Sequence, residues 1–228
     1  MLYFMIFLLN ATAQKTNSTA VGYLENYQNL PKIKLEQATE AKYNQYKIGS
    51  DPLMLKVEES KTYYILSTKS RKIKLKKINS ERNDFDGYEY FGYYQKLKMY
   101  AVTESYAAEN LSYGSFGLID SLTAHYYHII SIGDAAVEKP VPSVNSQYLI
   151  YYYNLVYEAN SCFIGIVEVN SDGKPVQRFK EKMSLETNSF AVEGIKWIND
   201  KTFIIKTYRK KEVADKKEKI FEYYKANV

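Results

Sequence analysis

The chain of 228 residues carries 31 basic and 26 acidic side chains, a formal charge of +5, and 46% hydrophobic residues. Chains that stay disordered combine low hydrophobicity with a strong charge imbalance, and this one does neither; its length suits one domain, or two small ones, burying roughly 70% of the unfolded surface. The single cysteine, Cys162, excludes an internal disulfide, so stability has to come from packing.

The first element in chain order is a targeting segment. Residues 1–9 form an apolar run, followed by Asn10, Ala11, Thr12 and Ala13 ahead of Gln14. Small residues at the −3 and −1 positions behind a short apolar segment are what a signal peptidase reads, so residues 1–13 are expected to be a signal peptide and Gln14 the mature N-terminus. Nine residues fall well short of the roughly 20 needed to cross a bilayer, and no cysteine follows to take a lipid. The mature protein is therefore expected to be exported, periplasmic or secreted, with no stable membrane anchor after cleavage. Residues 1–9 lack the Lys or Arg that ordinarily opens such a segment, which a start upstream of Met1 would supply. A native N-terminal core strand is the competing reading.

Residues 14–60 read as an N-terminal segment of different character. Residues 35–42 are rich in good helix formers and are followed by Gly49, Asp51 and Pro52, which predicts one short helix covering a sheet edge. From 61 to 228 the pattern changes. The 24 tyrosines of the chain, with Ile, Val, Phe and Thr, fall into short runs divided by turn signals, the composition of a pleated, half-buried surface. Strands are predicted over 62–67, 72–78, 95–103, 116–120, 125–131, 148–154, 162–169, 175–182, 195–198, 202–208 and 219–224. The fold class is all-β, an antiparallel meander.

Several pairings are local. Asn170, Ser171, Asp172 and Gly173 divide two runs, and a Gly173 with positive φ predicts a tight hairpin between 162–169 and 175–182. Asn199 and Asp200 do the same between Trp197 and Phe203. Leu97, Met99 and Ala101 alternate with Lys96, Lys98 and Tyr100, a period of two that buries one face. Cys162 opens an apolar run, where a free cysteine behaves as a small buried hydrophobe.

Strands opening at Leu97, Tyr148 and Phe203 are spaced by 51 and 55 residues, each followed by a loop and a further strand. Units of about 50 residues built from consecutive antiparallel strands resemble β-propeller blades. The resemblance spans roughly 62–228, rests on spacing without a WD or kelch signature, and implies a small, open or partial propeller-like arrangement, with a plain sandwich as the alternative.

His125 and His128 are the only histidines, and on a strand an odd separation puts them on opposite faces, unable to share a metal. Residues 82–93 carry Asp84, Asp86 and Gly87 at calcium-loop spacing, but Arg82 and Tyr93 stand where carboxylates are required. Ser115 lacks a glycine two positions before it, where Tyr113 stands, so the nucleophile-elbow pattern fails. No metal or cofactor is expected. A pair of carboxylates brought together by the fold would leave no spacing in sequence, which keeps an exported hydrolase acting on carbohydrate as the alternative function.

Two features point to contact with a partner. Residues 69–77 hold six basic side chains in nine; alternation sends Ile73 and Leu75 one way and Lys72, Lys74 and Lys76 the other, a pattern that either guards a sheet edge or meets an anionic partner. Tyrosines cluster at Tyr88, Tyr90, Tyr93 and again at Tyr151 and Tyr153, where rigid amphipathic rings suit either sheet packing or recognition of protein or sugar. The expected function is that of a non-enzymatic exported β-protein binding a protein or glycan, anionic if the lysines carry the contact. Nucleic acid is not an expected partner in that compartment.

Overall fold

A computed structural model describes residues 17–22, 29–47, 52–79, 86–108, 111–129, 138–155, 160–213 and 216–228. The predicted signal peptide and most of the turn at 83–87 lie outside them. The fold is all-β, with 60% strand against ~5% helix.

Among the described residues sixteen strands, numbered β1 to β16 in chain order, form four sheets. The first holds β3 (Glu58–Glu59), β4 (Tyr63–Ser67) and β5 (Lys72–Lys76). The second runs β6 (Gly87–Tyr94), β7 (Met99–Ala108), β8 (Leu111–Asp120) and β9 (Tyr126–Ile129), and ends on β1 (Ser18–Val21), which pairs parallel to β9. The third runs β10 (Val141–Pro142), β11 (Tyr148–Asn154), β12 (Cys162–Val169) and β13 (Phe179–Thr187). The fourth runs β14 (Ala191–Trp197), β15 (Thr202–Val213) and β16 (Lys216–Asn227), and β2 (Glu36–Ala38) adds to its far edge. Apart from β1 on β9, neighbours in every sheet are antiparallel, and apart from β1 and β2 each sheet is built from consecutive strands.

The four sheets stack in series. Leu66, Ile73 and Leu75 of the first meet Val102, Ile119 and Tyr126 of the second. Met99, Phe116, Leu118 and Tyr127 of the second meet Leu149, Tyr151, Tyr153 and Phe163 of the third. Ile150, Ile164 and Ile166 of the third meet Ile195, Trp197, Phe203 and Ile205 of the fourth. Among the described residues no apolar cluster joins the fourth sheet to the first, so the series stays open. The inner strands of the two middle sheets are thus covered by a core on each face. β11 and β12 read as continuous apolar runs because alternate side chains serve different cores: in β12, Phe163 and Val167 face one neighbour, Ile164 and Ile166 the other.

Several expectations need correction. Residues 95–98 form a turn, with Lys98 at φ 57, although the alternation of buried Leu97, Met99 and Ala101 survives it. The connection between β12 and β13 is no tight hairpin. Val169 pairs with Phe179, Pro175–Gln177 is a 3-10 turn, and Gly173 does not take a positive φ, because the loop is closed by Arg178 instead. That buried guanidinium donates to the carbonyls of Asn170 and Ser171, and to that of Leu97 in the β6–β7 turn, tying the second sheet to the third. The helix, α1 (Glu40–Asn44), starts later than predicted. Thr39 caps it by accepting from the Lys42 N–H, while Glu36–Ala38, good helix formers, are drawn into pairing with β16. Segment 14–60 therefore contributes strands as well as the short helix.

One backbone position sets where β6 points its rings. A bulge between Tyr90 and Gly92 resets the alternation, so that Phe91 packs on Phe116, at 5.9 Å between ring centres, while Tyr93 turns back to Tyr100 at 5.0 Å. Gly92 holds φ +125, and a Cβ there would come within 2.6 Å of the Leu53 carbonyl oxygen, which accepts the Tyr93 N–H. Gly92→Ala should therefore lower stability by about 1–3 kcal/mol, whereas Gly114→Ala should stay within about 0.5 kcal/mol, since the nearest atoms to a Cβ there lie 3.9 Å away. Urea denaturation of the two variants checks the contrast.

Candidate functional site

The lysine run lies where alternation sends it. In β5, Ile73 and Leu75 are buried against the second sheet while Lys72, Lys74 and Lys76 stand exposed on the outer face of the first. Side chains two apart on one strand project about 6.7 Å from one another, so the three form a short row. Lys72 Nζ lies 2.7 Å from Glu58 Oε2, and Lys74 Nζ lies 3.8 Å over the ring of Tyr63. Lys77 pairs with Glu59 at 2.6 Å and sits 4.5 Å over Tyr64. With Lys72 and Glu58 both more than half exposed, such a pair is worth about 0–1 kcal/mol and exchanges readily for another anion.

The tyrosines divide differently from the expectation. Tyr88, Tyr90 and Tyr93 are half-buried in a layer between the first and second sheets, where Tyr90 meets Tyr64 at 6.0 Å and Tyr100 at 6.4 Å. The Tyr90 hydroxyl is buried with no hydrogen-bond partner among the described residues; burial, then the Tyr100 and Tyr93 phenols, push it up to about 12. Tyr151 and Tyr153 are buried, with exposures of 0% and 1%. Both belong to a strand covered on two sides, and the Tyr151 ring lies over its cross-strand neighbour Gly165, where a Cβ would come within 2.5 Å of the ring. Tyr152, between them, points to the opposite core.

Beside this layer the fold assembles a group that no sequence motif marked. Glu104 on β7 accepts a 2.6 Å hydrogen bond from the Tyr88 hydroxyl and one of 3.4 Å from Tyr126, and its Oε2 lies 3.5 Å from Nδ1 of His128. Tyr88 reaches it because it is the residue opposite Glu104 in the β6–β7 ladder. Tyr126 and His128 share a face of β9 and stack at 4.1 Å. The signal available in sequence was only parity, since the even positions of 126–129 and the position of Glu104 fall on one face once the register is known. The arrangement holds an ionised carboxylate between phenols and an imidazole that remains partly exposed. It contains a single carboxyl group, where glycoside hydrolysis through paired acids uses two.

The other chemistry-bearing groups lie apart. His125 is on the opposite side of the second sheet, its Nε2 2.8 Å from Thr19 Oγ1, as odd spacing on an extended chain predicts. Among the described residues no three His, Cys, Asp or Glu side chains gather as metal ligands. Cys162 is fully buried, and burial pushes its thiol up to about 12.

The Glu104 carboxyl is held below its ordinary value, chiefly by the hydrogen bond with His128 and further by Tyr88 and Tyr126, which together outweigh the upward effect of burial. A depressed folded value means that the stabilisation is present above the unfolded value of about 4.3 and is lost as pH falls through the folded one. Glu104→Gln should therefore lower the melting temperature at neutral pH, and the gap to the parent protein should close below about pH 4. Melting curves from pH 3 to 7 check this; a gap that widened on acidification would contradict the assigned direction.

No family model matches this chain, and no curated protein or solved structure matches it at a significant level.

Proposed function

We propose that the protein is an exported, non-enzymatic β-protein that binds a partner macromolecule, a protein or a glycan carrying negative charge, through the outer face of its first sheet. The observation that carries this reading is the row of Lys72, Lys74 and Lys76, exposed on a face whose other side is fixed in the core by Ile73 and Leu75. Ammonium groups on a rigid strand keep their spacing when bound, so a partner with repeated anionic groups meets them at low entropic cost. Tyr63, beneath Lys74, adds an aromatic surface next to the charges. Glu58 pairs with Lys72, and a partner anion takes its place there. The export half of the proposal rests on residues 1–13 and their small residues at 11 and 13.

Retention of the mature protein on immobilised dextran sulfate and on polyglutamate tests the surface. The triple change Lys72→Glu, Lys74→Glu, Lys76→Glu should abolish retention at physiological salt, where charges act over about 8 Å, with the melting temperature unchanged. Lys174, Lys180 and Lys201 are exposed elsewhere, and their conversion to Glu makes the same change in net charge. Equal losses from both triples would show a general charge effect and place no site on the first sheet.

A further inference from the structure

The four sheets turn on the same side of the stack, and hydrogen bonds tie those turns to one another. The β4–β5, β6–β7 and β8–β9 turns meet where the Ser121 carbonyl accepts the Lys69 N–H and the Lys98 carbonyl accepts the Ser121 N–H. The β6–β7 turn reaches the third sheet through Lys96, whose ammonium donates to the Val144 carbonyl at 2.6 Å, and through the Leu97 carbonyl, which accepts from Arg178. Asp200, in the β14–β15 turn, accepts from Ser143 and Asn145 in the β10–β11 turn. Residues 52–56 join the same side, because Leu53 exchanges both backbone hydrogen bonds with Tyr93, next to the β6–β7 turn. Turn tips from every sheet are thereby fixed in one surface.

That surface is both apolar and basic. Among the described residues nine large apolar side chains are exposed, and Leu53, Met54, Leu55, Leu122, Val144 and Val176 all lie here, Met54 at 73% and Val176 at 64%. Residues 52–56, 68–71, 95–98, 121–125, 143–147, 170–178 and 198–201 together carry eight basic side chains and two acidic ones. Lys56, Lys69, Lys96, Lys98, Lys174 and Lys201 are exposed. Of the two acids, Asp200 is engaged through both carboxylate oxygens by Ser143 and Asn145, and Asp172 is exposed.

We propose that this turn surface adsorbs reversibly to a lipid bilayer bearing anionic headgroups, its apolar tips entering the headgroup region while the lysines meet the headgroup charge. Two observations select this occupant. The basic groups among the tips complement an anionic surface, where each lysine adds to the attraction. The apolar side chains stand on four separate segments, and a fluid surface takes in each of them without a matching pocket, whereas a protein partner needs one for every tip. The lysine row of β5 lies on the outer face of the first sheet and takes no part, so the inference does not rest on the function proposed for that row.

Full-length protein carrying an environment-sensitive nitrobenzoxadiazole at Met54→Cys, Leu122→Cys, Val176→Cys or Ile220→Cys, one at a time, provides the test, since the native Cys162 is buried. Ile220 is 42% exposed but sits opposite Arg209, remote from the turn at 198–201. Vesicles of equal parts phosphatidylcholine and phosphatidylglycerol should shift the emission of the first three probes to the blue and leave the probe at 220 in water. Vesicles of phosphatidylcholine alone should shift none of them at the same lipid concentration. Lys98→Gln with Lys174→Gln and Lys201→Gln should weaken binding by about tenfold or more, Lys72→Gln with Lys74→Gln and Lys76→Gln by much less, with melting temperatures unchanged. Tip probes that stay in water, a shift at 220 equal to theirs, equal binding to neutral vesicles, or equal losses from the two lysine triples would each overturn the proposal. Adsorption through the apolar residues 1–9 alone would give the first of these outcomes.

Discussion

Stacking four sheets in an open series imposes one constraint from which most of the molecule follows: the inner strands of the second and third sheets are covered on both faces. Where such a strand is covered on both sides it carries apolar side chains at successive positions, and its backbone groups are paired within the sheet. β11 and β12 meet this with Leu149, Ile150, Tyr151, Phe163, Ile164 and Ile166, each nearly or fully buried. Burying one such side chain contributes roughly 1.5–3 kcal/mol, against an ordering cost of about 1–2 kcal/mol for the backbone of one residue. Polar residues gather on edge strands such as β13 and on the outermost sheets. The lysine row occupies one of the places the stack leaves for them.

Apolar contact between sheets is not directional, and a stack held by it alone could slide. Side-chain hydrogen bonds to backbone supply the missing registration at every junction. The Tyr100 hydroxyl donates to the Ser67 carbonyl between the first and second sheets. Arg178 reaches the Leu97 carbonyl, and Tyr94 the Pro140 carbonyl, between the second and third. Between the third and fourth, Trp197 donates to Val141, and Asn154 both donates to the Val192 carbonyl and accepts its N–H. Asp200 gathers Ser143 and the Asn145 backbone and side chain around one carboxylate. Burial of Asp200 opposes its ionisation, but these hydrogen bonds and the nearby Lys96 prevail and hold its carboxyl below the usual range. Such bonds gain strength from partial burial and lose their value if the partner moves, so they fix relative position more than they add net stability.

What was readable in the sequence follows the same division. β11 and β12 lie where the apolar runs 148–154 and 162–169 predict them, because a strand buried on both faces writes an unbroken apolar signal and turn residues mark its ends. The alternation in β5 was equally plain, since one solvent face and one core face give a clean period of two. Strands whose existence depends on a distant edge were not readable. Ser18–Val21 carries no period, and it is a strand because Tyr126–Ile129 offers it an edge more than a hundred residues away. Glu36–Ala38 has helical propensity of a few tenths of a kcal/mol per residue, less than the backbone bonds available on β16. Tyrosine was ambiguous for a physical reason as well. Its ring suits a core and its hydroxyl suits a surface, so Tyr88 and Tyr151 look alike in sequence although one bonds Glu104 at a half-buried seam and the other is sealed beneath two sheets. The Glu104 cluster was invisible because its members are brought together by a register between strands, which no local pattern encodes.

The two ends of the stack differ in kind. The first sheet presents a face: its three strands are short, its inner side is anchored by Leu66, Ile73 and Leu75, and what it offers outward is side-chain charge at fixed spacing. The fourth sheet presents an edge. Its outer face is partly covered by α1, where Tyr43 packs on Tyr223 at 5.6 Å and Lys196 lies 3.8 Å over the Tyr43 ring. What the fourth sheet leaves open, among the described residues, is backbone along β16 past its pairing with β2. A face of charges recognises spacing and responds to salt. The open series thus sets the charged face of the first sheet apart from the edge of the fourth by the depth of the two sheets between them.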